Sequence, residues 1–265
     1  MDINQKYDDL KRILHSYGSV AVAYSNGVDS TFLLNTAHQV LGDKAIAITV
    51  RSCLIPKREI DEAEDFCKKE NIRHILSDID PLEIEGFADN LPNRCYLCKS
   101  VDFGMIKKIA CENGISEVAE GSNLDDNGDY RPGMRAISEL EIKSPLREAG
   151  FSKQEIREMS RRLGLHTWNK PSLACLASRF AYGEKITAEG LSRVDKAEIM
   201  LAESGFSQFR VRVHGNIARI EILQDDFEKL LIIRKQISES FKQLGFKYIT
   251  MDLQGYRTGS MNEIL

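Results

Sequence analysis

The sequence predicts an α/β fold: a parallel sheet with helices on both faces, followed by a small α+β unit. Three observations predict it. Short apolar runs alternate with one-faced helical patterns between residues 19 and 123, and that alternation implies crossover connections between parallel strands. A turn-forming cluster, SNGVDS at 25–30, joins the first apolar run directly to a helical pattern. Further on, FRVRVHGNIARIEIL alternates strictly around HGN, which marks a hairpin.

In chain order, Leu10, Ile13, Leu14 and Tyr17 recur at helical spacing and predict an opening helix over 3–17. SVAVAYS (19–25) reads as a buried strand, and STFLLNTAHQVLG (30–42) as a helix stopped by Gly42. A second strand follows at 45–52, a charged one-faced helix at 59–72 and a third strand at 74–80. Residues 100–114 read as a helix preceded by a loop, and 117–123 as a strand running into a polar loop. Ligands of such sheets sit beyond the carboxyl ends of the strands. The loops at 25–30, 52–57, 122–135 and 143–148 are therefore expected to converge there. From Thr187 a helix leads into the hairpin, 225–244 reads as one helix with Phe227, Leu230, Leu231 and Ile237 inward, and 247–253 is a last strand. Two domains are expected, 1–183 and 184–265, with a linker near 180–188.

The 265 residues are 42% hydrophobic and 29% charged, enough for a sizeable core. A net charge of −4 gives no general pull toward nucleic acid. No stretch approaches the ~20 apolar residues of a membrane helix, and the charged N-terminus lacks an apolar signal-peptide core. A cytoplasmic protein with neither membrane nor nucleic-acid partners is expected, so its six cysteines read as reduced thiols.

The loop after the first strand has what phosphate binding needs. Helix-opening N–H groups are unpaired, the dipole favours anions, Ser25, Ser30 and Thr31 add hydroxyls, and Gly27 lets backbone approach a ligand. An ordinary helix cap explains the same spacing. Cys95 and Cys98 form a CxxC, and Cys175 lies in the small, polar stretch KPSLACLASR. Zinc would need a fourth ligand, for which His166 is the nearest candidate; three thiolates alone suit an iron–sulfur cluster with one iron open. Asp125, Asp126 and Asp129 follow a strand end, where Mg²⁺ ligation and turn capping both fit. Arg210 and Arg212, two apart on a strand, share a face that is either a solvated hairpin edge or an anion clamp.

SNGVDS resembles the SGGxDS signature of the PP-loop ATP pyrophosphatases, whose fold is adenine-nucleotide α-hydrolase-like. That resemblance implies cleavage of ATP between its α and β phosphates. It makes Ser25, Gly27, Val28, Asp29, Ser30, Thr31, Asp125 and Asp126 nucleotide-binding, with Asp29 a Mg²⁺ partner. This chain departs at Asn26, where the family has glycine. Asparagine tolerates positive φ best after glycine, but its side chain would stand beside the phosphate. EGSNLDDNGDYRPGMRA (120–136), KSPLREAGFSKQEIR (143–157), KPSLACLASRFAYGEKIT (170–187) and MDLQGYRTGSMNE (251–263) together resemble the LarE sulfur transferases nearly end to end. The resemblance implies adenylation of pyridinium-3,5-biscarboxylic acid mononucleotide and its conversion to a thiocarboxylate for a nickel-pincer cofactor. It makes Cys175, Ser178, Arg179 and Glu198 catalytic, and puts Arg210, Arg212 and Glu221 at the substrate phosphate. With Cys95, Cys98 and Cys175 present, the chain resembles the type that holds a [4Fe–4S] cluster, with ATP and Mg²⁺ as further requirements. A homo-oligomer and a sulfide donor are implied partners.

Three alternatives stand beside this reading. One is another PP-loop enzyme, an amide synthetase or tRNA thiolase, although no glutaminase segment or nucleic-acid surface is evident. Another is sacrificial-cysteine LarE chemistry at Cys175. The last is a binding protein without turnover, with Asn26 as the lesion.

Overall fold

The computed structural model describes residues 2–126, 132–171, 174–257 and 259–264, without the side chains of Asn262 and Ile264. The chain divides into two compact units, 1–79 with 95–173, and 80–94 with 174–265. The first holds helices α1 (Ile3–Tyr17), α2 (Val28–Leu41) and α3 (Lys57–Lys69), and strands β1 (Val20–Ala23), β2 (Ala45–Arg51) and β3 (His74–Asp78). It continues with α4 (Arg94–Glu112), β4 (Glu117–Ala119), α5 (Gly133–Glu139), α6 (Pro145–Glu148) and α7 (Lys153–Arg162).

The strands form one sheet in the order β3-β2-β1-β4, and every pairing is parallel. Strand alternation sorts its two faces. Val20, Val22, Ala45 and Ala47 pack with Leu10 and Leu14 of α1, Phe32 and Leu33 of α2, Phe66 of α3 and Ile156 of α7. Ala21, Ile46 and Ile48 pack on the other side with Phe103 and Ile106 of α4 and Ile137 of α5. Burying each such side chain contributes about 1.5–3 kcal/mol. Phe32 and Phe151 meet edge to face at 5.4 Å, a geometry that adds about 0.5–1.5 kcal/mol beyond burial. The α/β class read from alternation is thus the observed architecture, with helices on both faces.

The second unit holds α8 (Ala188–Glu203), β5 (Phe209–His214), β6 (Ile217–Ile222), α9 (Phe227–Ile232), α10 (Arg234–Gln243) and β7 (Tyr248–Met251). β5 and β6 form the expected antiparallel hairpin, and β7 adds parallel to β6. Val194, Ala197, Leu201, Val211, Ile220 and Phe241 are buried in this unit. The segment 80–94 joins it through backbone as well as side chains. Gly183 N–H donates to the Asn90 carbonyl at 3.0 Å and Ile186 N–H to that of Ala88 at 2.8 Å. The Asn90 side chain donates to the carbonyls of Phe180 and Ala181, at 3.2 and 2.6 Å. The units therefore part at 173/174, upstream of residue 183, with a contribution from a distant stretch.

Several local expectations are corrected. The CxxC lies inside α4 rather than in a loop before it. The strand expected over 117–123 ends at Ala119, because Glu120 onward turns into side-chain-bonded loop. Residues 225–244 form two helices, α9 and α10, meeting at Ile233, and Leu231 is 50% exposed. Leu230 to Ile233 are four consecutive apolar residues, which at about 100° per residue cannot all face one side; Leu230 takes the buried position. Among the described residues, no helix is long and apolar enough to cross a membrane.

Candidate active site

In the first unit β1 lies between β2 and β4, so the chain's direction of travel across the sheet reverses beside β1. Crevices at such switch points are where open α/β sheets bind ligands. The loop after β1 and the N-terminus of α2 occupy this one. Gly27 is the N-cap residue of α2, with φ −82°; the left-handed residue is Asn26, at φ 56°. Ser25 and Ser30 share a hydroxyl–hydroxyl hydrogen bond of 3.1 Å, and Ser30 Oγ donates to the Gly27 carbonyl at 3.3 Å. Val28 and Thr31 are buried.

Gly121, after β4, allows the second side of the crevice to close. A Cβ there would stand 3.1 Å from both Asp29 Cβ and Ser30 N, tighter than ordinary contact, so glycine lets β4's loop pass over α2 without displacing it. Beside it the Asn123 amide donates to Asp29 Oδ1 at 3.4 Å, and Lys153 Nζ forms an ion pair with Asp29 Oδ2. Burial raises the Asp29 pKa above its ordinary value, and Lys153 acts against that rise. Asp125 Oδ2 accepts from Lys153 N–H at 2.7 Å, at the start of α7, and Asp126 Oδ2 accepts from Asn123 N–H at 2.9 Å. Each carboxylate therefore caps backbone through its Oδ2 here; Asp129 lies outside the described residues. Glu120 ties two further loops together, accepting from Ser122 Oγ at 2.7 Å and from Ser144 Oγ at 2.6 Å.

The Asn26 side chain has a defined set of partners. Its Oδ1 accepts from the Tyr24 hydroxyl at 3.2 Å. Its Nδ2 donates to Glu62 Oε2 at 2.9 Å and Glu59 Oε2 at 3.4 Å. Lys170 Nζ reaches the same two oxygens, each at 2.6 Å. Burial opposes ionisation of Glu62, yet hydrogen bonds from Lys170 and Asn26 hold its pKa below the usual value.

Cys95 and Cys98 are three residues apart on α4, one helical turn, and both are half-buried. Cys98 Sγ donates to Asp102 Oδ2 at 3.4 Å. Burial pushes Asp102 up to about 6, while Cys98 and Lys99 act to lower it. His166 packs on the Phe66 ring at 5.3 Å. Among the described residues, no three His, Cys, Asp or Glu side chains gather into a metal-holding group.

In the second unit, exposed Cys175 precedes a short 3₁₀ turn, Leu176–Arg179. Arg179, 1% exposed, meets Glu198 in a bidentate pair, Nε to Oε1 at 2.9 Å and Nη2 to Oε2 at 2.8 Å. Its Nη1 donates to the carbonyls of Ala174 and Cys175 at 2.7 and 3.2 Å and to Ser178 Oγ at 2.9 Å. The guanidinium therefore fixes the backbone that presents the Cys175 thiol. Arg212 donates to Glu221 at 3.1 Å, to the Ser178 carbonyl at 2.7 Å and to Ser260 Oγ at 3.0 Å. Arg210 lies over the Tyr256 ring at 5.2 Å. Arg210 and Arg212 are buried, which rules out a solvated hairpin edge. Burial, then the neighbouring Arg179 charge, holds Arg210 below its ordinary pKa. Glu198 and Glu221 counter the charges of Arg179 and Arg212 within this group. An open cleft of 370 Å³ in the same unit is lined by Phe180, Thr187, Gly190, Arg193, Val213 and Gly215, none of them a residue singled out from the sequence.

Lys153, Gly121, Glu59, Glu62 and Lys170 escaped the sequence reading. Glu59 and Glu62 read there as members of a charged helix, and Lys170 as the first residue of the small, polar stretch KPSLACLASR.

No family model matches the chain. An uncharacterized protein of Synechocystis sp. is 38% identical over 99% of this chain and 99% of its own length. The pyridinium-3,5-bisthiocarboxylic acid mononucleotide synthase of Lactiplantibacillus plantarum is 36% identical over 93% of this chain and 90% of its own. A glutamine-hydrolyzing GMP synthase component from Thermoplasma volcanium is 26% identical over 58% of this chain and 54% of its own. Near end-to-end similarity, together with the four-stranded parallel sheet and the loop at its switch point, establishes that the chain belongs to the LarE-type family of the PP-loop superfamily.

Proposed function

We propose that this chain is an ATP-using sulfurtransferase that converts a carboxylate of pyridinium-3,5-biscarboxylic acid mononucleotide into a thiocarboxylate. The likeness to the Lactiplantibacillus synthase along 93% of the chain carries the reading. A carboxylate oxygen attacks the α phosphorus of ATP, the bond to the β phosphate breaks, and pyrophosphate leaves. Ser25, Gly27, Val28, Ser30 and Thr31 present the N-terminus of α2 to the departing phosphates, where an anion is favoured. Asp29, with Asp125 and Asp126 nearby, would hold Mg²⁺, an oxygen-preferring cation that neutralises phosphate charge. Sulfur then attacks the acyl carbonyl and AMP leaves, completing the exchange of oxygen for sulfur. Arg210 and Arg212, with Glu221 orienting Arg212, bind the substrate's phosphate. Arg179, Ser178 and Glu198 present Cys175.

Cys95, Cys98 and Cys175 would hold a [4Fe–4S] cluster on the strength of their donor chemistry alone, three thiolates that leave one iron open, since the described residues gather no three such ligands. When bound, such a cluster leaves one iron open to hold transferable sulfide. Incubating protein, ATP, Mg²⁺ and the mononucleotide under anoxia should yield AMP and pyrophosphate; their absence after iron and sulfide reconstitution would sink the assignment. Anaerobically purified native protein should carry about four irons. Cys95→Ala should lose them and stop at one turnover or fewer, and multiple turnovers by this variant would remove the cluster from the reaction. Loss of the Cys175 sulfur from the protein during a single turnover would instead establish the sacrificial route. A homo-oligomer and an external sulfide donor complete the proposal.

A further inference from the structure

Asn26 replaces a PP-loop glycine, and its surroundings explain why an amide stands there. Glu59 and Glu62 lie three residues apart on α3, so their carboxylates face the same side of the helix. Lys170 Nζ stands 2.6 Å from both carboxylates, and Arg58 Nε lies 3.8 Å from Glu59 Oε1. A neutral donor, Asn26 Nδ2, also reaches both carboxylates and links them to the nucleotide loop. Its acceptor end takes the Tyr24 hydroxyl, so each end of the carboxamide has a partner of matching polarity. Asn26 is fully buried, and Glu59 and Lys170 are nearly so, with side chains 7% and 15% exposed. Glycine could adopt φ 56° more easily but would leave Tyr24 Oη and the two carboxylates without this link. With its side chain committed to these partners, Asn26 is held in the left-handed turn that leads into the first N–H groups of α2.

We propose that Asn26, Glu59, Glu62 and Lys170 are positioning residues that hold the nucleotide loop in its phosphate-receiving turn, so that asparagine strengthens ATP binding. The inference rests on the reading of this loop as an ATP site. It reverses the expectation that Asn26 is a lesion.

The test is calorimetric ATP–Mg²⁺ binding to full-length native protein, Asn26→Gly, Lys170→Met, Lys170→Arg, Glu62→Gln and the Asn26→Gly/Lys170→Met double variant, each checked by thermal melting. Asn26→Gly and Lys170→Met should each weaken binding about tenfold, equivalent to ~1.4 kcal/mol. The double variant should bind about as weakly as either single variant, because both break one clamp. Lys170→Arg should bind within about threefold of native, since it retains the charge. Glu62→Gln, the most exposed member, should fold normally and weaken binding about threefold by losing the charged acceptor. A purely structural role would lower melting temperatures while leaving affinity at saturating fold unchanged, and that result would overturn the proposal. Asn26→Gly binding ATP as tightly as native, or more tightly, would also overturn it while leaving the ATP reading intact. Native protein that binds no ATP would overturn both.

Discussion

Glu198→Ala should destabilise the second unit by about 3–5 kcal/mol, measured by urea unfolding. Glu198 is 3% exposed and accepts from Arg179 through both oxygens and from Val211 N–H at 3.0 Å. Its removal leaves a guanidinium that is 1% exposed without its counter-charge, in a setting water cannot reach. Whole domains are stable by only about 5–15 kcal/mol, so such a loss is a large fraction of the total. A second variant separates fold from chemistry. Replacing both partners, Arg179→Met with Glu198→Leu, removes the uncompensated charge and should recover most of the stability. It also removes the donors that fix the carbonyls of Ala174 and Cys175, so sulfur transfer should stay lost while pyrophosphate release persists. Glu198→Ala within about 1 kcal/mol of native would show that the pair contributes little.

Asp29→Ala should lower the rate of pyrophosphate formation by about 10²–10³, the scale of losing a placed electrostatic group at a reacting phosphate. Asp29 opens α2 at the switch point and is already committed to a cation in Lys153. Nucleotide with Mg²⁺ would bring further positive charge to the same carboxylate, and burial at this position strengthens that attraction. Asp29→Asn keeps the shape and the bond from Asn123 but removes the charge, so it should lose nearly as much rate as alanine. The ion pair is half-buried, so the unfolding free energy of either variant should fall by only about 1 kcal/mol. Turnover within about threefold of native in Asp29→Ala would remove the residue from the reaction.

Much of the architecture was legible because it rests on local periodicity. Val20 and Val22 against Ala21 sort the faces of β1, and the hairpin around His214-Gly215-Asn216 reads directly from alternation. Periodicity fails where an apolar run exceeds one face, as at Leu230–Ile233, and where helix capping has no strong signal, as at the CxxC. Both members of the Arg179–Glu198 and Arg212–Glu221 pairs were singled out by motif, whereas the partners of Asp29 and Asn26 were not. Lys153 is 124 positions from Asp29, and Lys170 is 111 from Glu59.

The sequence by itself determined an α/β sheet, a turn feeding a helix N-terminus after its first strand, a CxxC and a small unit built on a hairpin. Each is a property of neighbouring residues, set by backbone preference and the side on which successive side chains fall. Tertiary structure alone decided which groups the Asn26 side chain bonds. It also committed Asp125 and Asp126 to backbone caps, buried Arg210 and Arg212, and joined residues 80–94 to the second unit. These outcomes depend on pairing charges and amides across long stretches of chain in places closed to water. There the cost of leaving one unpaired selects the partner, and no local pattern encodes it.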